Sequence, residues 1–490
     1  MPRVKAKETS KETSKETKKS KEAKIKGDPK EAKIKGESKD KENLKDIKIA
    51  SYGKKGCPNP TYLDNNGTTL ISASAQKIYN EWLRCYNASS DSKIAKPAKG
   101  IIERAADDIL AHCGTSTANH TALFTSCGTE SNCFIIRACV KSYRKKLTER
   151  GSPLLPHVIS SSVEHHSILE CLHDLKESGE AEVTLVDPTI YGNILAEDVE
   201  KEIKMNTCLI TIMFANNEIP IINNIKEIGA MAHRHKVPMH SDCVQIFGKY
   251  KINMVDNNID ALSASAHKFY GPKGMGLLII NNSLIEGYKL TAEISGSQQH
   301  GLRGGTENVA GIASMLVALK TVFVNRKKKN EHLLALRNRL LDKLEKDFTF
   351  NTIENYVDFE DSDASEHASQ SKKTVKKTDI ELVNLGPPRD KKGFILPNTV
   401  LLAICKNKGK PFCNVDLKHF LDSKNIVVGI GSTCMTNSDK ASHVLYAIGA
   451  TPVIRRGILR ISFGDNNMVS DVDKLVAALK EGVAKQCVDL

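Results

Sequence analysis

The sequence predicts an α/β fold: a large, mostly parallel sheet covered by helices on both faces, followed by a smaller C-terminal α/β unit. Two patterns carry that expectation. From about residue 55 to residue 278, short β-like runs alternate with segments whose apolar residues recur at helical spacing. From Leu396 onward a second, shorter α/β pattern follows. Sheets of this kind bind ligands at the carboxyl ends of their strands, and the residues with chemical potential fall at those ends.

The strand candidates are Leu123–Ser126, His157–Ser161, Val183–Val186, Leu209–Phe214, Val237–Ser241, Ala261–Ser263 and Gly276–Ile280. Between them, Ile101–His112, Ser131–Leu147, His166–Ser178 and Ile225–His235 have the apolar spacing of helices. One helical stretch is expected from Val309 to Leu344. Residues 354–392 then break the pattern, with an acidic half, a basic half and a Gly-Pro-Pro turn, and read as a surface insertion. The expected organisation is therefore a tail (1–55), a large domain (56–310) and a small domain (311–490) that carries the insertion.

The net charge of +13 is unevenly distributed. Residues 1–55 hold 18 Lys and 1 Arg against 10 Asp and Glu, which leaves only +4 on the body. The tail repeats Glu-Ala-Lys-Ile-Lys-Gly at Glu22–Gly27 and Glu31–Gly36 and has too few apolar residues to offset the entropy of ordering. It is expected to be disordered: a solvating tail first, a tether to nucleic acid second. Its interspersed acids make it a poor mitochondrial presequence. The 13 cysteines show no paired framework or zinc spacing, which suggests free thiols in a reducing compartment and no metal site. No apolar run is long enough to span a bilayer and no secretory h-region follows Met1, so a cytoplasmic location is expected.

Four local motifs carry chemistry. Ser263-Ala-Ser-Ala-His-Lys-Phe-Tyr-Gly-Pro-Lys-Gly274 puts Lys268 after a short strand and before glycines, a setting in which an amine can form a Schiff base with an aldehyde cofactor. Alone, a solvent-exposed turn lysine explains it equally well. Asp242, in Met239-His-Ser-Asp-Cys-Val-Gln245, closes a buried strand. A helix cap is the simpler explanation of Asp242 by itself, but a protonated pyridine nitrogen would also satisfy it, and Lys268 in the same sheet shifts the balance. Phe124-Thr-Ser-Cys-Gly-Thr-Glu130 joins a strand to a helix whose free N–H groups suit a phosphate. Val163-Glu-His-His166 ends another strand with imidazoles that could stack on a ring and move protons.

In chain order, "YLDNNGTT", "FTSCGTESN", "VEHHSI", "NNEIP", "HSDCVQIFGK", "SASAHKFYGPKG", "GLRGGTENV" and "GIGSTCMT" resemble a cysteine desulfurase of the NifS/IscS type. That family belongs to the class V aminotransferases, of pyridoxal-phosphate (PLP) fold type I, and the resemblance runs from about Pro60 to the C-terminus apart from the insertion. It implies that the large domain binds PLP, with Lys268 as the Schiff-base lysine and Asp242 on the pyridine nitrogen. Gln245 and Asn217 would lie on the phenolic-oxygen side and His165 on the ring face. Gly128, Thr129, Ser265 and His267 would hold the phosphate, reached by Thr306 of a second subunit in a homodimer. Arg460, with Asn217, would bind the carboxylate of L-cysteine. Cys434 would accept the sulfur as a persulfide, which could transiently ligate an iron–sulfur cluster.

The resemblance implies a sulfur acceptor, either an iron–sulfur scaffold or a tRNA-thiolation carrier, and no membrane partner. The rivals are a selenocysteine lyase or other class V PLP enzyme, and a weakly catalytic binding protein tethered to nucleic acid by its tail. Cys127-Gly128, Ala266, Ser297, His300, Thr433 and Asp465 depart from the family's usual residues; none removes a key chemical group.

Overall fold

The computed structural model describes residues 59–357, 380–388, 395–406, 410–430 and 442–488. The N-terminal tail, most of the expected insertion and Cys434 lie outside the described residues. The described residues from Pro60 onward form one compact unit. The chain enters it along β1 (Thr61–Leu63), and seven strands then build the main sheet: β2 (His120–Thr125), β3 (His157–Ser161), β4 (Glu182–Val186), β5 (Thr207–Thr211), β6 (Met239–Asp242), β7 (Ala261–Ser265) and β8 (Gly276–Asn281). Each corresponds to an expected strand.

Their spatial order is β2-β8-β7-β6-β5-β3-β4. The pairings among β3 to β7 are parallel, and β8 runs antiparallel to both β2 and β7. β3, β5 and β7 are buried at every residue, as expected of strands covered on both faces. Alternation along β8 shows the two layers directly. Leu277 and Ile279 join one apolar core, packed by the helices Lys96–His112, Ile225–Arg234 and Val309–Val324. Leu278 and Ile280 join the opposite core, packed by Gly128–Glu149 and His166–Glu177. Successive side chains of a strand point to opposite faces, so one strand serves both layers.

A second sheet has the order β12-β11-β10-β9, from β9 (Thr349–Thr352), β10 (Ile380–Asn384), β11 (Thr399–Lys406) and β12 (Lys410–Pro411). β13 (Ile426–Val428) pairs in parallel with β1, and β14 (Ile458–Ser462) pairs antiparallel with β11. Its own core gathers Leu333, Leu336 and Leu340 from the helix Arg326–Asp347, Val472 and Leu475 from Val469–Val488, and Leu63 from β1. The first strand of the compact unit thus belongs to the core built by the last third of the chain.

Two expectations are corrected. The single helix over Val309–Leu344 is two helices, Val309–Val324 and Arg326–Asp347, bent by 73°. Asn325 between them leaves helical geometry (φ −115°, ψ 14°), and the two helices pack into different cores. The expected insertion also reaches too far: Ile380–Asn384 is β10, buried throughout and paired on both sides. No single helix among the described residues is long and apolar enough to cross a membrane.

Gly276 opens β8 opposite Thr125. A Cβ there would lie 2.3 Å from Thr125 Oγ1 and 2.4 Å from the Cys127 carbonyl carbon, so backbone would have to move. Gly276→Ala is expected to cost about 3 kcal/mol and to disturb the turn into Gly128–Glu149. Thermal denaturation of the purified variant beside wild type checks this.

Candidate active site

The carboxyl ends of β3, β5, β6 and β7 open into one polar cavity of about 380 Å³. Ten expected site residues line it: Gly128, Thr129, His165, Asn217, Asp242, Gln245, Ser265, His267, Lys268 and Arg460. Nine come from strand ends, the turns after them or the start of a helix. Arg460 comes from β14 of the second sheet. Thr306 is exposed and does not line this cavity, and Cys434 is outside the described residues.

Asp242 is the last residue of β6 and only 4% exposed. Its Oδ2 accepts from Asn132 Nδ2 at 2.8 Å and its Oδ1 from the Val244 amide at 2.8 Å. Lys268 ends the short 3₁₀ turn after β7. Its Nζ donates to the Gly67 carbonyl at 2.9 Å and to the Asn66 carbonyl. Burial first, then the Arg460 charge, depress its amine to about 8, against the pull of Asp64 and Asp242. Carboxylate and amine thus face one cavity, each satisfied by neutral partners.

His165 caps the helix His166–Glu177, its Nδ1 lying 3.1 Å from the Ser167 amide and 2.9 Å from Ser167 Oγ. Burial lowers its pKa, which keeps the ring neutral near pH 7. Beside it, burial raises the Glu164 carboxyl to about 8, although Met213 N and Ser161 Oγ bond its Oε1 at 2.8 and 2.7 Å. His267 is pushed down to about 4, chiefly by burial, and its Nδ1 lies 3.0 Å from Thr68 Oγ1. Gly128 and Thr129 open a 22-residue helix capped by Cys127, so free N–H groups and the positive end of the helix dipole meet the cavity there. A Cβ on Gly128 would lie 2.8 Å from Val244 Cγ2.

Arg460 is held by Asp64 (NH2 to Oδ1, 2.7 Å) and by the Asn217 carbonyl (NH1, 3.0 Å). Three buried polar atoms of cavity residues have no partner among the described residues: Gln245 Oε1, Asn132 Oδ1 and Arg460 Nε. The departure at Asp465 has a structural counterpart, because its carboxylate pairs with Lys329.

Sequence reasoning gave no role to Asn66, Gly67, Asn132 or Ser167, which also line the cavity. Asn132 was the most detectable. It is a buried amide near the start of an otherwise apolar helix face, and such a group requires a polar partner.

Fold and cavity define the PLP-dependent fold type I class: a doubly covered sheet with a half-buried lysine and a buried carboxylate at the carboxyl ends of neighbouring strands. A family model, aminotransferase class-V, matches residues 61–383. The cysteine desulfurase IscS of Dictyoglomus turgidum is 31% identical over 427 residues, covering 86% of this chain and 94% of that protein. The selenocysteine lyase of Bos taurus is 28% identical over 450 residues, covering 86% and 93%. A solved NifS-like protein superposes with a TM-score of 0.70 at 25% identity, covering 87% of this chain and 99% of that one. The chain belongs to the class-V aminotransferase family, whose cysteine desulfurases depend on PLP.

A second lysine lies close by. Lys249 Nζ is buried with no hydrogen-bond partner among the described residues, and burial and then the Lys268 charge depress it to about 7. Unfolded, this amine holds its proton up to the usual lysine range. Folding therefore releases a proton between pH 7 and that range, and the cost of burying the ammonium is fully present below pH 7. Lys249→Met should stabilise the apoenzyme more at pH 6 than at pH 9. Urea denaturation of both proteins at the two pH values measures the difference.

Proposed function

We propose that this chain is a cysteine desulfurase that uses PLP at Lys268 to take sulfur from L-cysteine onto Cys434. The observation that carries this reading is one cavity lined together by Lys268, Asp242 and Arg460. The residues present fit the cofactor. Asp242 is a buried carboxylate whose lone pairs can accept from a further donor, Gln245 Oε1 and Asn132 Oδ1 are buried acceptors with no partner among the described residues, and the helix start at Gly128 and Thr129, with Ser265 and His267, suits a phosphate. Bound there, PLP supplies an electron sink for the bonds at the substrate's α-carbon.

The chain's own groups do the rest. Asp242 would pair with the pyridine nitrogen and favour its protonated form. Lys268, its amine depressed to about 8, is close enough to neutral to act as a nucleophile and to carry a proton. His165, its pKa lowered by burial, lines the cavity and would take part in proton movement there. Arg460 orients the substrate carboxylate, a bidentate task suited to guanidinium. Cys434 as thiolate attacks the substrate sulfur; the S–C bond breaks, its electron pair stays with the carbon fragment, and that fragment leaves as L-alanine after protonation. Thr306, exposed and away from its own chain's cavity, is suited to reach the phosphate site of a second copy in a homodimer. The persulfide would pass to an iron–sulfur scaffold or a thiolation carrier.

A single addition of L-cysteine to the holoenzyme should leave one extra sulfur on the peptide that contains Cys434, read by mass spectrometry, with L-alanine in solution. Cys434→Ser should bind PLP normally yet lose alanine release by about two orders of magnitude or more, because a hydroxyl cannot carry the sulfur. Sulfur on Cys127 or Cys243 with an active Cys434→Ser would overturn the assignment. Turnover confined to selenocysteine would instead support the activity named for the bovine relative.

A further inference from the structure

Arg460 already has a carboxylate. Asp64 Oδ1 lies 2.7 Å from its NH2, and this pair is well shielded, the two side chains being 11% and 25% exposed. NH1 is engaged by the Asn217 carbonyl, and Nε is buried with no partner among the described residues. Asp64 follows β1 directly and is fixed from both sides by glycines. A Cβ on Gly67 would lie 2.7 Å from Asp64 Oδ2, and one on Gly429 would lie 2.8 Å from Oδ1 and 2.9 Å from Arg460 Nε. The carboxylate fills the space that side chains at these two positions would need. Gly429 is itself bonded to the Arg460 backbone in both directions, at 2.9 and 2.7 Å.

A substrate carboxylate arriving at this guanidinium therefore meets a second negative charge a few ångströms away. Like charges at that distance in a partly buried site repel strongly enough to decide an affinity. The positional benefit of Asp64 is separable from its charge, because an amide oxygen could still accept from NH2.

We propose that Asp64 is a specificity-determining residue: it competes with the α-carboxylate of amino-acid ligands for Arg460 and so weakens the site's hold on them. The consequence is practical. L-cysteine and L-alanine present the same carboxylate, so a site that gripped it with an unopposed arginine would also retain its product. Asp64 sets a looser hold on both and favours product release. The proposal rests on the reading of Arg460 as the carboxylate-binding group.

The test titrates holoenzyme with L-alanine, following the cofactor's absorption spectrum, and repeats the titration with cysteamine, which has the amine and thiol but no carboxylate. In Asp64→Asn the dissociation constant for L-alanine should fall by about fivefold to fiftyfold, the KM for L-cysteine should fall with it, and cysteamine affinity should stay as in wild type. An unchanged or weaker L-alanine affinity in a variant with a normal cofactor spectrum would refute the proposal. So would an equal gain for cysteamine, which would mean that Asp64 acts through the Lys268 amine rather than through Arg460. If Asp64→Asn does not retain cofactor, Asp64→Ser carries the same comparison. Arg460→Ala separates the two layers of argument: undiminished L-alanine binding there would remove the reading of Arg460 itself, whatever Asp64 does.

Discussion

The structure depends on keeping the Lys268 amine and the buried Asp242 carboxylate apart. Lys268 and Asp242 sit at the ends of adjacent parallel strands, β7 and β6, where direct pairing would be the cheapest way to bury both. Instead Asp242 is bonded by an amide side chain and a backbone N–H, and Lys268 by two carbonyls. An isolated buried charge costs several kcal/mol, so each of these neutral partners is a structural requirement. The result is one cavity lined by both an amine and a carboxylate, each held by neutral partners.

The carbonyls that hold Lys268 come from a segment some 200 residues upstream in sequence, and Asn66 shows how that segment is fastened. Its backbone N–H donates to Ser462 Oγ at 2.9 Å, its Nδ2 to Thr399 Oγ1 at 2.9 Å, and its Oδ1 accepts from Asn398 at 3.1 Å. Its carbonyl takes both Gln245 Nε2 and Lys268 Nζ. One buried asparagine therefore ties the second sheet, the loop after β1 and the lysine of the main sheet into a single network. Such networks are rigid when fully satisfied and costly when cut. The same loop places Asp64 on Arg460, so the group that holds the lysine and the group that engages this arginine are neighbours in the chain.

Much of this was legible in the sequence, for physical reasons that differ by element. The main-sheet strands are short apolar runs separated by helices with strong apolar spacing, and periodicity finds them. β10 was missed because Ile-Glu-Leu-Val-Asn is brief and lies beside a highly charged stretch that dominates any window containing it. The bend at Asn325 was missed because an apolar helix runs straight into a basic one with no Gly or Pro between them; only their separate cores require the break. At the site, residues whose chemistry stands out, Lys268, Asp242, His165 and Arg460, are singled out by the sequence, and the fold brings all four to one cavity. Asn66 and Asn132 were quoted in motifs without a role, since an amide reveals its function only through the partner that folding brings to it. The Asp64–Arg460 pair spans 396 positions, beyond any local pattern.

We propose that Lys268, and not the nearby Lys249, is the amine on which the cofactor is held. Both amines are depressed, to about 8 and about 7, so acidity alone does not choose between them. Geometry does: only Lys268 lines the cavity with Asp242 and Arg460. Holoenzyme reduced with borohydride, digested and mapped by mass spectrometry should carry the reduced pyridoxal phosphate mass on the peptide containing Lys268 and leave Lys249 unmodified. The cofactor mass on Lys249, or on neither lysine, would contradict the account.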